Sequence, residues 1–399
     1  MNILKKLYYR TVQGIFRLTV PFMPIRPPEL LDGCGEIGPL FAQKGVTRAL
    51  IVTGHIVRRH GLTSPIEEAL TRADIAYEIY DETPANPTVS AIEAAFSLYR
   101  ENKCDGLIAV GGGSPMDCAK GVCARAIHPK KSILQMKGML KVRGKQPPFV
   151  AVPTTAGTGS EATVGAVITD DKTHHKFTML SFCLLPKFAV LDPTMTATLP
   201  PAPTAETGMD ALTHAVEAYI GRATTRRTRA LAEDAVRLIH ENLLTVYRHG
   251  DDLAARKNMQ IAAYEAGLAI TKSYVGYVHA VAHSLGGAYD YPHGKTNATL
   301  LPIVLRAYGK SAVKRLARLA RRSGVSHAQT DGEAAKAFIS WIEELCRQTN
   351  IPATLEIEEE AIPALAQKAD KEANPLYPVP KLMDAHELEK IYLQAKSRP

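Results

Sequence analysis

Between about residues 48 and 200, short apolar runs alternate with stretches whose apolar positions recur at helical spacing. The runs at 49–53, 75–80, 106–110 and 150–153 are rich in the aliphatic and β-branched residues of buried strands, and each is too short for a helix. Between two of them, 88–100 places Val89, Ile92, Ala95, Phe96 and Tyr99 on one helical stripe. Strand and helix in alternation predict a parallel sheet covered by helices. Beyond Leu199-Pro200-Pro201 the texture changes, and 204–220, 229–247, 251–270 and 311–322 all read at a period of 3.6. The expected architecture is an α/β N-terminal domain with a parallel Rossmann-like sheet over residues 31–200, then an all-α C-terminal domain over 201–399, with residues 1–30 as an N-terminal extension.

The first 28 residues carry Lys5, Lys6, Arg10, Arg17 and Arg26 with no acid, interleaved with Ile3, Leu4, Leu7, Ile15, Phe16 and Leu18. One reading is a helix that packs on the domain or on a partner subunit. The other is an amphipathic helix in peripheral contact with a membrane. No small-residue cleavage site marks a secretory signal. A chain of 399 residues, 46% hydrophobic and 22% charged, has the composition of a globular protein with room for two cores. The net charge of +8 is spread along the chain without aromatic interleaving, so no nucleic-acid partner is expected. Six cysteines show no CxxC pair and no regular framework, which fits reduced thiols and a cytoplasmic location.

Two loops bear on phosphate chemistry. The predicted strand at 106–110 runs into Gly111-Gly112-Gly113-Ser114-Pro115-Met116-Asp117 and then into a helical stretch at 118–125. A glycine turn opening a helix offers unobstructed N–H groups and the positive end of the dipole to an anion, although such turns also serve tight packing. A second loop, Thr154-Thr155-Ala156-Gly157-Thr158-Gly159-Ser160-Glu161, likewise follows a strand and could line a dinucleotide or cap a helix at Ser160.

A further set bears on metals. Asp210 and His214 lie four apart, on one helical face, as a ligand pair or a hydrogen-bonded core pair. His279 and His283 repeat that spacing, and His293 follows a break at Gly286-Gly287 and Pro292. Four imidazoles and a carboxylate in predominantly apolar sequence suit Fe(II), Zn(II) or a similar ion, whereas Mg(II) and Ca(II) take oxygen ligands.

With these motifs in order, the chain resembles the iron-containing (group III) alcohol dehydrogenases, relatives of glycerol dehydrogenase and dehydroquinate synthase. GGGSPMD, PTTAGTGSE, TGMDALTHAVEAY and VHAVAHSLGG followed by PHGKTNATLLP carry the likeness from about residue 30 almost to the C-terminus. The resemblance implies the dehydroquinate synthase-like fold and hydride transfer between nicotinamide C4 and a small alcohol or aldehyde, with a metal polarising the substrate oxygen. It makes Asp210, His214, His279 and His293 the ligands of Fe(II), with Zn(II) the alternative. It makes His283 a catalytic histidine that assists proton movement or holds the site. It assigns Gly112, Gly113 and Ser114, with Asp117 close by, to the pyrophosphate turn, and Thr154, Thr155 and Thr158 to the loop beside the nicotinamide and its ribose. Asn86 and Lys176 match two further cofactor contacts. The family's members are commonly dimers or larger, so a homodimer or larger assembly is expected.

One position departs from the pattern: where NAD-preferring members carry an aspartate after the first strand, this chain has Gly54, with Arg58 and Arg59 one turn on. The acid that would repel a 2′-phosphate is missing, which puts NADP(H) beside NAD(H) as the cofactor. The rival readings are a zinc-dependent polyol dehydrogenase of the glycerol type, a lyase of the dehydroquinate synthase type, and a non-catalytic nucleotide- or metal-binding protein. The aspartate-first ligand set argues against the lyase.

Overall fold

The computed structural model describes residues 1–173 and 175–397. They form two compact units, one of residues 24–199 and the other of residues 1–23 together with the chain from Pro200 onward. The expected extension at 1–30 is therefore divided: its helix, α1 (Ile3–Thr19), belongs to the second unit, and its last residues enter the first.

The first unit is built on six parallel strands: β1 (Glu29–Leu31), β2 (Arg48–Val52), β3 (Ala76–Tyr80), β4 (Gly106–Gly111), β6 (Phe149–Pro153) and β9 (Phe188–Val190). They lie in the order β1-β9-β6-β4-β2-β3. The central strands are apolar without interruption because both of their faces are covered. Leu50, Val52, Leu107, Ala109, Phe149 and Ala151 pack against Ile92 and Phe96 of α5 (Val89–Glu101) and Met116 and Val122 of α6 (Gly113–Ile127). The alternate residues Ala49, Ile51, Ile108, Val110, Val150 and Val152 meet Ile37 and Phe41 of α2 (Ile37–Gln43) and Ile66 and Leu70 of α4 (Ser64–Arg72). The period of two along each strand thus sorts one residue set onto each helical layer. Short α3 (His55–Arg59) follows β2 directly.

The four strands read from sequence are β2, β3, β4 and β6. The rest of the β structure is less legible: β1 and β9 span three residues each, and β5 (Gly138–Met139), β7 (Gly165–Thr169) and β8 (Lys176–Leu180) form a small separate sheet. The helix expected at 118–125 begins five residues earlier, at Gly113, so the glycine turn runs from the end of β4 through the N-cap Gly112 into the first residue of α6.

The second unit is helical: α7 (Pro201–Ile220), α8 (Arg226–Arg248), α9 (Leu253–Ser273), α10 (Tyr277–Tyr289), α11 (His293–Tyr308), α12 (Lys310–Arg322), α13 (Asp331–Gln348), α14 (Ile362–Ala373) and α15 (Ala385–Ala395). α7 is buried on nearly every side from Gly208 to Ile220, and its small residues let neighbours approach closely. A Cβ on Gly208 would stand 2.5 Å from Leu243 Cδ1 of α8. Of the reading's two options for the N-terminus, the structure displays packing on the domain: Arg10 donates to the carbonyls of Val379 and Pro380 at 2.8 and 3.0 Å, and buried Gln13 donates to that of Tyr377 at 2.7 Å. No described helix is long and apolar enough to cross a membrane. All six cysteines are free, and five are buried.

Gln13→Ala removes the side-chain donor from the Tyr377 carbonyl, which keeps the Val379 amide at 2.8 Å, and the expected loss is about 0.5–1.5 kcal/mol of unfolding free energy. Urea denaturation read by circular dichroism measures it.

Candidate functional site

Three helices supply one cluster. α7 carries Asp210 and His214 four apart, α10 carries His279 in its first turn, and α11 opens on His293. The chain reverses between the last two because Asp290 takes a left-handed conformation (φ 53°) and Pro292 precedes the new helix. One ligand atom from each of Asp210, His214, His279 and His293 falls within 4.8 Å of the others. Asp210 Oδ1 is 3.6 Å from His293 Nε2 and 4.0 Å from His214 Nε2, and the His214 and His279 rings stack with centroids 4.7 Å apart. The approach of α11 to α7 requires Gly294, where a Cβ would come within 2.3 Å of the Glu206 carbonyl oxygen.

These four atoms are all lone-pair bearers. Burial, then the neighbouring imidazoles His214, His293 and His283, hold His279 well below its usual value, so its ring is neutral. Glu217, one turn beyond His214, fixes which nitrogen of that ring is free: its Oε2 lies 2.6 Å from His279 Nδ1. The same carboxylate accepts from the Gly276 and Val278 amides at 2.8 Å each. Burial pushes Glu217 up to about 7 against the pull of those amides. A carboxylate on Nδ1 orients the ring and leaves Nε2 for coordination. Fully buried Asn297, four residues past His293, donates through Nδ2 to Asp210 Oδ1 at 2.8 Å and sits 3.0 Å from His293 Nε2, while its Oδ1 meets no partner. Three imidazole nitrogens and a carboxylate oxygen at this spacing suit one divalent transition-metal ion.

His283 stands outside this set. Its Nδ1 is 2.6 Å from Glu372 Oε1, which also accepts from the Tyr377 hydroxyl at 2.7 Å, and its ring stacks on His293 at 5.2 Å. Burial alone would lower the His283 pKa, but the Glu372 carboxylate reverses the sign and raises it. The pair anchors Nδ1 of His283 and leaves the opposite ring nitrogen available.

In the α/β unit, the two phosphate-type loops meet. A Cβ on Gly112 would come 3.2 Å from the Thr155 side chain, and one on Gly113 would come 3.1 Å from Thr158 Cγ2, so the glycines serve close packing as well as an open face. Gly113 and Ser114 occupy the first turn of 15-residue α6, where backbone N–H groups are unspent. The Thr154 amide donates to the Gly111 carbonyl at 3.0 Å, and Ser114 Oγ donates to the Ala85 carbonyl, bringing the Asn86 segment alongside. Lys176 Nζ donates to Asn86 Oδ1 at 2.9 Å. Asp117, expected close to the pyrophosphate turn, has oxygens that accept from Ser160 Oγ and the Val167 amide, both at 2.9 Å, which ties α6 to the second loop and to β7.

Several residues outside the sequence reading complete the site. Buried Lys120 ties α6 to the second loop through Ser160 Oγ, Thr163 Oγ1 and the Gly165 carbonyl, and burial pushes its ammonium down to about 8. Glu217 and Asn297 share helical faces with His214 and His293 and were open to the same spacing argument. Glu372 lies 89 residues from His283, and no sequence pattern links them. Glu217→Gln is expected to weaken metal binding by about 10- to 100-fold. Competition with a chelator of known affinity reads the change directly.

Comparison with known proteins places the chain in a family. The model of the family "Iron-containing alcohol dehydrogenase" matches residues 30–193, and that of the "Fe-containing alcohol dehydrogenase family, C-terminal" matches residues 204–396. A 1,3-propanediol dehydrogenase of Klebsiella pneumoniae is 37% identical over 387 residues, 96% of this chain and 99% of its own. An NADPH-dependent butanol dehydrogenase of Clostridium saccharobutylicum is 34% identical over 332 residues, covering 82% of this chain and 84% of its own. The crystal structure of a 1,3-propanediol oxidoreductase superposes with a TM-score of 0.89 at 36% identity, covering 93% of this chain and 98% of that one. The chain belongs to the iron-containing alcohol dehydrogenase family and is an oxidoreductase that couples a nicotinamide cofactor to alcohol or aldehyde chemistry.

Proposed function

We propose that Asp210, His214, His279 and His293 hold a divalent ion, Fe(II) in preference to Zn(II), in an enzyme that interconverts a small alcohol and its aldehyde. The observation that carries this is the convergence of their four ligand atoms within 4.8 Å. When bound, such an ion supplies Lewis acidity toward the substrate oxygen, and the nicotinamide supplies or accepts hydride. The chain's own residues do the rest. Glu217 orients His279, and Glu372 holds His283 Nδ1 so that the opposite nitrogen can carry the hydroxyl proton. Gly112, Gly113 and Ser114 at the head of α6 cradle the pyrophosphate, Thr154, Thr155 and Thr158 line the nicotinamide side, and Asn86 and Lys176 add a polar contact.

For the cofactor, Gly54 removes the acid that would repel a 2′-phosphate, and the NADPH dependence of the butanol dehydrogenase relative leans the same way. We favour NADP(H) over NAD(H). We also favour a cytoplasmic homodimer or larger assembly. Peripheral membrane contact of residues 1–28 is supported by the exposed Ile3, Leu4, Leu7 and Leu18 on α1, beside Lys5 and Lys6.

His279→Ala and His293→Ala are expected to lose metal and activity together, whereas His283→Ala keeps the metal and loses about 100-fold in kcat. Elemental analysis paired with turnover on an alcohol and aldehyde panel tests both, and full activity in a metal-free His279→Ala enzyme contradicts the proposal. Gly54→Asp is expected to cut kcat/KM with NADPH roughly tenfold or more relative to NADH. A strong NAD preference in the unmodified enzyme contradicts the cofactor reading.

A further inference from the structure

Away from the metal ligands, the helical unit contains a cavity of about 270 Å³ lined by Arg17, Ile220, Arg222, Ser311, Arg315 and Pro380. Three guanidinium groups reach it from three parts of the chain: α1, the segment after α7, and α12. Arg315 has a structural task, since its Nη1 donates to the carbonyls of Ile220 at 2.7 Å and of Gly221, closing the C-terminal end of α7. Arg17 and Arg222 have none. Among the described residues neither side chain forms an ion pair or a hydrogen bond with the protein, and both are exposed.

Such crowding of like charge has a cost. Burial, then Arg229, Arg222 and Arg17, depress the Arg315 pKa, and burial followed by Arg222 pushes Arg10 down to about 10. No carboxylate is among the groups that set either shift. At the same cavity Ser311 lies in the first turn of α12, a 13-residue helix with no acid there, so the positive end of its dipole adds to the field. A dianion with several oxygens would neutralise the cluster, offer acceptors to two uncommitted guanidinium forks, and bond the serine hydroxyl. A monocarboxylate matches one fork, whereas a tetrahedral phosphate can meet both.

We propose that the Arg17–Arg222–Arg315 cavity is a binding site for a phosphate group, separate from the cofactor's pyrophosphate turn. Two sources carry that chemistry. One is a free phosphorylated metabolite or inorganic phosphate. The other is the headgroup of an anionic lipid, which the exposed apolar residues of α1 would approach from the bilayer side.

The test uses metal-loaded enzyme saturated with its preferred nicotinamide cofactor, so that the pyrophosphate turn is filled. Inorganic phosphate is titrated calorimetrically at constant ionic strength into wild type, the Arg17→Ala/Arg222→Ala double variant and Arg222→Lys. In parallel, the same proteins are sedimented with vesicles of phosphatidic acid in phosphatidylcholine. The expected result is saturable binding to wild type that weakens at least tenfold in the double variant and less in Arg222→Lys, with kcat unchanged throughout. Phosphate titration that follows this order supports a soluble ligand, and vesicle binding that follows it without phosphate titration supports a headgroup. Binding of neither probe to wild type, or equal binding by wild type and the double variant, overturns the proposal.

Discussion

The structure of the helical unit depends on bringing four mutually unhelpful side chains to one point. Two buried imidazoles, the more exposed His293 and a buried carboxylate present lone pairs to one another within 4.8 Å, an arrangement that costs free energy unless it is braced from behind and neutralised from within. The bracing is visible. Glu217 holds His279 and at the same time the two amides that start α10, so helix position and ring orientation are set by one carboxylate. Gly294 allows α11 to lie directly against the Glu206 carbonyl of α7, and Asn297 bonds Asp210 from the next turn. Neutralisation is what a divalent cation provides, so the packing of α7, α10 and α11 makes sense as a preorganised metal site.

The α/β unit solves a related problem for anions. Its glycines lie between the end of a buried central strand and the start of α6, where a Cβ would come within 3.1–3.2 Å of Thr155 or Thr158. The loop opposite is pinned by Lys120, a buried cation that meets two hydroxyls and a carbonyl, with Asp117 3.9 Å away. His279, His293, Gly113 and Ser114 stand on helix starts, and Glu217, Asn297 and Lys120, which hold the neighbouring groups, are buried and hydrogen-bonded. Short-range rigidity is thereby separated from the open faces where chemistry occurs.

Much of this was legible in the sequence. The 3.6 period located α7, α8, α9 and α12 to within a few residues, and the apolar runs located β2, β3, β4 and β6, because burial on both faces of a parallel sheet leaves a strong local trace. Three-residue β1 and β9 leave too little, and the β7–β8 hairpin carries no glycine-asparagine turn to announce it. Helical spacing offered Asp210–His214 and His279–His283 as candidate pairs, and the resemblance to the iron-containing alcohol dehydrogenases singled out Asp210, His214, His279 and His293 and set His283 apart. Their supports divide in two. Glu217 and Asn297 obey the same spacing and needed only the rule extended by one turn, whereas Glu372 meets His283 through tertiary packing alone, and Lys120 looks like any lysine on a helix until its burial is known.

The central claim is that Asp210, His214, His279 and His293 share one metal ion. A crystal structure of the enzyme as purified, with anomalous data collected on both sides of the iron edge, addresses it directly. The account predicts a single iron peak bonded to Asp210 Oδ1 and to the Nε2 atoms of the three histidines at about 2.0–2.2 Å. Those side chains turned into different cavities, or a metal bound elsewhere with the four left uncoordinated, would contradict it.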